Sequence, residues 1–181
     1  MSRMWAQVCP ENVYRLSDAV KAVLRRTMLR LPKRDVSETE TLYPTTSGGM
    51  RAFLATFFSR HYFQVQNSLM GYISSDEFSD VMASGAVRIL DVGCGPAVGS
   101  LAIIDMVAAL LGTYGYTTQR PVKVDCILND TCGLSLGTGR RMLENYFKLI
   151  RRSRNLEAGQ ILQVQRQFPD NIGQLNRIAS N

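Results

Sequence analysis

Residues 87–104 read VRILDVGCGPAVGSLAII: an apolar run, a turn holding Gly93, Gly95, Pro96 and Gly99, and a second apolar run. The first run is short enough for a buried strand, and the second is long enough for a helix. Glycine has no Cβ, so it takes left-handed backbone angles cheaply and lets a ligand lie against the main chain. Asp91 stands just ahead of the first glycine. In open parallel sheets, ligands bind outside the carboxyl ends of the strands, where such a turn would sit. The stretch therefore predicts a strand, a turn open to a ligand, and a helix, in that order.

The flanking sequence extends this unit. VKVDCILND (122–130) alternates Val122, Val124, Cys126 and Leu128, which is strand periodicity. Gly133 to about Arg154 is helical in pattern, and GQILQVQRQF (159–168) is a third strand candidate. Strand, helix, strand, helix, strand is the α/β signature of a parallel sheet with crossover helices. Upstream, Val13, Leu16, Ala19, Val20, Val23 and Leu24 recur at helical spacing between Glu11 and about Leu31, and Pro32 ends that segment. A second helix is predicted from Met50 to Ile73, with Thr45, Thr46 and Ser47 as its capping residues, and a short third from Asp76 to near Gly85. The expected fold is a partial Rossmann-like sheet (residues 86–181) preceded by a helical subdomain (1–85).

Composition narrows the function classes. With 45% hydrophobic and 20% charged residues in 181, the chain reads as a soluble globular protein. Its longest apolar stretch, Leu101–Leu111, is interrupted by Asp105 and is far too short for a membrane span. No continuous apolar segment resembles a signal peptide, and Cys9, Cys94, Cys126 and Cys132 form no CxxC pair. The expectation is a cytoplasmic protein with reduced cysteines and no metal site. The net charge of +6 is concentrated in two clusters: Arg25, Arg26, Arg30, Lys33 and Arg34, and then Arg140, Arg141, Lys148, Arg151, Arg152 and Arg154. This charge is compatible with a nucleic acid or another anionic partner, and equally with solvated helix faces. Arg60, His61, Tyr62 and Gln66 are polar or amphipathic residues in an otherwise apolar helix, so either a wet face or a cleft-facing base at His61 fits them. Tyr114 and Tyr116 offer rings for stacking on bases or for packing on the surface.

The turn itself weakens two phosphate-binding readings. A dinucleotide fingerprint needs G-x-G-x-x-G, but Val98 occupies the third glycine position and Gly99 falls one residue late. Pro96 removes a backbone donor, and no Gly-Lys-Ser/Thr follows as in a Walker loop. ILDVGCGPA instead resembles motif I of class I S-adenosylmethionine-dependent methyltransferases, a strand followed by D/E-x-G-x-G-x-G. Asp91, Gly93 and Gly95 match it residue by residue; Cys94 and Pro96 are common between them, and Ala97 replaces the third glycine. The resemblance implies that this loop holds the methionine portion of S-adenosylmethionine. It also implies that the acid ending the second strand, here Asp130, grips the ribose, with Asn129 and Thr131 beside it. Asp130 also suits a helix N-cap. It lies 35 residues after Gly95, against roughly 20 in a compact unit, and GTYGYTTQRP (112–121) accounts for the surplus. After the third strand, Asp170 would approach the adenine, with Phe168 as its neighbour.

The same resemblance implies a larger sheet, whose fourth strand carries the substrate-gripping motif. Neither NPPY nor DPPY occurs in the sequence, so no catalytic residue is assigned. The expectation is therefore the cofactor-binding part of a methyltransferase, completed by further residues of the same protein, by dimerisation or within a larger assembly. The alternative is a non-catalytic, methyltransferase-like interaction module. An open three-stranded sheet would expose an edge near Ile161, Leu162 and Val164 unless other elements cover it.

Overall fold

A computed structural model describes residues 15–32, 44–113, 121–150, 155–169 and 172–179. Three helices come first: α1 (Asp18–Arg30), α2 (Ser47–Ile73) and α3 (Asp76–Ala83). The α/β part follows as β1 (Ala86–Val92), α4 (Val98–Thr113), β2 (Val122–Asp130), α5 (Gly133–Ile150), β3 (Leu156–Gln165) and α6 (Ile172–Ala179). All strand pairs are parallel and the order is β1-β2-β3, so α4 and α5 are crossover connections. A mixed α/β architecture with helices ahead of a parallel sheet is thus present. Glu11 to Tyr14, at the start of the first expected helix, lie outside the described residues, as do 151–154, which the sequence reading put in the helix after β2.

Each of the first three helices starts on a side-chain cap. Ser17, Thr46 and Ser75 accept the backbone N–H of Val20, Gly49 and Phe78 at 3.2, 3.0 and 3.2 Å, satisfying donors that a helix start leaves orphaned. At the other end of α1, Arg51 of α2 donates to the carbonyl of Leu31 at 2.8 Å and to that of Met28. A guanidinium on the carbonyl end of a helix also complements its dipole.

Helix α4 is apolar on nearly every side and lies in the interior, with Leu101, Ile104, Val107 and Leu110 buried. Helices α1 to α3 add Val20, Val23, Leu54, Phe58 and Met82 to the same core as Val87, Ile89, Val124, Cys126 and Leu128 of the sheet. Alternation along β2 sends Ile127 to the opposite face, where Ile127, Val164 and Leu175 of α6 form a smaller cluster with Leu162 against it. So α6, which the sequence reading did not anticipate, packs on Val164 and Leu162 of β3, whereas Leu156 and Ile161 join the main core. On β1, Leu90 and Val92 remain 46% and 40% exposed. An apolar groove of about 590 Å³ also runs beside β1, lined by Ile73, Phe78, Leu90, Ile103 and Met106 among others. Among the described residues, no helix is long and apolar enough to cross a membrane.

Candidate functional site

The glycine turn leaves β1 through three left-handed residues, Gly93 (φ 69°), Gly95 (φ 51°) and Ala97 (φ 55°). Left-handed angles are free for glycine and cost an L-residue about 1–2 kcal/mol, so Ala97 is strained where the motif expects a third glycine. Two carboxylates hold the turn. Asp130 accepts the Gly95 N–H on Oδ2 and the Cys132 N–H on Oδ1, both at 2.8 Å. Asp91 accepts the backbone N–H and the hydroxyl of Ser100 on Oδ2, at 3.1 and 2.7 Å. The N–H groups of Gly93 and Cys94 both reach the Asn129 carbonyl, at 2.9 and 3.0 Å, binding the turn to the end of β2.

Beyond the carboxyl ends of the strands lies a cleft of about 320 Å³, lined by Val92, Gly93, Asn129, Asp130, Thr131, Arg166, Gln167 and Phe168. The parallel register explains the convergence, since Val92 pairs with Asn129 and Asp130 with Gln165. Asn129 is 1% exposed, and its amide donates to the carbonyls of Val164 and Arg166 at 2.8 and 2.9 Å, fixing where the chain leaves β3. Asp130 is not the cap of α5. It closes a turn onto Cys132, whose carbonyl accepts the Leu136 N–H at the helix start.

Of the residues predicted for the site, Gly93, Asn129, Asp130, Thr131 and Phe168 line this cleft. Cys94, Gly95 and Pro96 are buried; Asp91 is half-buried, with Gly99 at its carboxylate. Asp170 lies outside the described residues, as do Tyr114, Tyr116 and Cys9. Val92, Arg166 and Gln167 were not singled out from the sequence. Their signal was position alone, just at or past the end of a strand. His61 is not among the cleft residues: it stacks on Phe57 at 5.9 Å and lies edge-on to Phe53. Tyr62 and Gln66 point instead into a buried hydrogen-bond network.

Burial raises the Asp91 carboxyl above the ordinary 3.8 of an aspartate; the Ser100 hydrogen bonds oppose the shift and the negative charge of Asp130 adds to it. Among the described residues, no lysine or arginine forms an ion pair with Asp91. A carboxyl whose folded value is raised stabilises the fold fully below its unfolded value. That contribution is lost as pH rises through the folded value. Asp91→Asn is therefore expected to be more stable than the parent at pH 7. Its advantage should disappear near pH 3, which urea unfolding at the two pH values measures. Burial also pushes up the thiols of Cys94 and Cys126, the latter to about 12, so neither supplies a thiolate at neutral pH. Among the described residues, no group of three histidine, cysteine or acidic side chains could hold a metal ion.

Compared with known proteins, the chain matches no family model, no curated protein and no solved structure.

Proposed function

We propose that the chain binds S-adenosylmethionine at the glycine turn and is the cofactor-binding part of a methyltransferase. The observation that carries this reading is Asp91, a desolvated carboxylate without a basic partner, held at a glycine turn beside a cleft at the strand ends. Retaining a charge at such a place costs stability, and a cationic ligand group near it would offset that cost.

The nucleoside end of the cofactor fits the cleft. Asp130 lines the cleft and accepts the N–H groups of Gly95 and Cys132, and an ionised carboxylate is chemically suited to hold ribose hydroxyls there. Phe168 and Val92 offer apolar surface to a base, and Thr131 a hydroxyl. The methionine end fits less openly, because Cys94 to Val98 are buried and Gly93 is the exposed member of the turn. When bound, the cofactor supplies an electrophilic methyl group. The chain's own part is to bind and orient, which can supply much of the rate in a direct displacement.

Titration calorimetry with S-adenosylhomocysteine tests the proposal, and a folded protein that binds none of it refutes it. Asp130→Ala is expected to weaken that binding at least tenfold, since it removes the hydroxyl acceptor and releases the Gly95 N–H. An unchanged affinity would remove Asp130 from the site. The buried turn and the open apolar groove beside β1 favour a second reading, a non-catalytic module that docks a partner. The same titration separates the two.

A further inference from the structure

Away from the strand ends, a polar cavity of about 330 Å³ lies where α1, α2 and α5 meet, and Thr27, Arg30, Ser47, Arg141 and Asn145 are among the residues lining it. Its two guanidiniums come from different helices: Arg30 ends α1, and Arg141 lies two turns into α5. Neither forms an ion pair among the described residues, whose three pairs are Lys21–Asp18, Lys123–Asp125 and Arg140–Glu144. Among the described residues Arg141 makes one long hydrogen bond, 3.4 Å, to the Thr138 hydroxyl. The neighbouring Arg140 shows what α5 does with a charge intended for its own surface, a 2.8 Å contact to Glu144 one turn on. Among the described residues Arg141 has no such carboxylate; it is exposed and borders a cavity shared with a second arginine. Two like charges around one pocket repel unless an anion joins them, and guanidinium forks match the oxygens of a phosphate.

We infer that this cavity is a phosphate site, with Arg30 and Arg141 as its cationic arms and Ser47 and Asn145 as neutral donors. Free phosphates and the phosphodiesters of a nucleic-acid strand share this chemistry. The inference does not depend on cofactor binding, because the pocket uses none of the residues that line the cleft. It separates the basic residues by role: Arg25, Arg26, Arg30 and Arg141 are all exposed, but only Arg30 and Arg141 line the cavity. Lys33, Arg34, Arg151, Arg152 and Arg154 lie outside the described residues.

The experiment compares the full chain with two charge-matched variants, Arg30→Gln/Arg141→Gln and Arg25→Gln/Arg26→Gln. Pyrophosphate is titrated by calorimetry and a fluorescein-labelled twelve-nucleotide oligothymidylate by anisotropy. The cavity variant is expected to bind the recognised probe at least tenfold more weakly, and the α1 variant less than threefold. If the recognised probe is the oligonucleotide, the slope of log K against log salt falls by about 1.4 for two lost contacts. Loss on pyrophosphate alone assigns a small phosphate ligand; loss on the oligonucleotide assigns a strand. Equal losses in both variants mean a diffuse charge effect and overturn the site, as does failure of both probes to bind the parent. Unchanged melting temperature and S-adenosylhomocysteine titration in the cavity variant keep this test apart from that of the cofactor.

Discussion

Replacing Asp105 by alanine is expected to lower the free energy of unfolding by about 3 kcal/mol or more, the largest single effect on stability forecast for this chain. Asp105 lies in the middle of the apolar helix α4 and is 5% exposed. Its carboxylate accepts three hydroxyls: Tyr62 donates to Oδ2 at 2.5 Å, and Tyr146 and Ser17 to Oδ1 at 2.5 and 2.7 Å. Gln66 extends the network, donating to the Tyr62 oxygen at 2.9 Å and to the Ala102 carbonyl at 3.3 Å. One side chain thereby ties together the cap of α1, the middle of α2, α4 and the far half of α5. Hydrogen bonds to a charged group contribute about 1.5–3 kcal/mol each, and a buried hydroxyl left without its acceptor costs about 1–3 kcal/mol. The alanine variant loses three such bonds at once, although water entering the space it opens would recover part of the loss.

Two milder variants test the mechanism. Tyr146→Phe removes one donor and leaves the carboxylate two others, so a loss of about 1–2 kcal/mol is expected. Asp105→Asn keeps one acceptor oxygen but turns an NH₂ group toward a hydroxyl donor, and should fall between the phenylalanine and alanine variants. Urea unfolding with an unchanged m-value measures all three. An alanine variant with the parent's midpoint would show that the network contributes nothing net.

Sequence reading and structure agree best where a pattern is local. β2 runs from Val122 to Asp130, as its alternation predicted, because apolar side chains on one face of a strand repeat every second residue. β3 starts three residues earlier than expected, at Leu156, so Gly159 lies inside the strand rather than at its first position. That glycine serves close packing: a Cβ there would sit 1.9 Å from the Asp125 carboxylate on the neighbouring strand. The site was legible to a similar degree. Asp91, Gly93 and Asp130 could be picked out because turn chemistry and strand ends leave marks in sequence. The Asp105 network could not, since it joins residues 41 to 88 positions apart and Asp105 registers only as an interruption in an apolar run. Helix α6 escaped because its eight residues give too few turns for a period to emerge.

Gly139 and Gly137 are one helical stretch to the eye, yet opposite outcomes are expected when they are changed. Both lie in the first turns of α5, where glycine weakens a helix by about 0.8–1 kcal/mol relative to alanine. At Gly137 an added Cβ meets only the Arg141 guanidinium, 3.8 Å away, an ordinary contact. Gly137→Ala should therefore stabilise the protein by about 0.5–1 kcal/mol and leave S-adenosylhomocysteine binding unchanged. At Gly139 the added atom would lie 2.7 Å from the Ala97 Cβ, 2.8 Å from the Pro96 carbonyl carbon and 3.0 Å from the Ala97 nitrogen. Two of those atoms are backbone of the glycine turn, so they cannot swing aside as the end of a side chain would. Ala97 already occupies a left-handed conformation, which leaves the turn little freedom to yield. Gly139→Val, larger and branched at Cβ, is expected to cost about 3 kcal/mol through overpacking and lost helix propensity. It should also push Pro96 and Ala97 away from α5, strain the 2.8 Å clasp between Gly95 and Asp130, and abolish measurable S-adenosylhomocysteine binding. Calorimetric melting and titration on the two variants, side by side, read both effects. If Gly139→Val melts and binds like the parent, close packing of α5 on the turn does not hold the site in place.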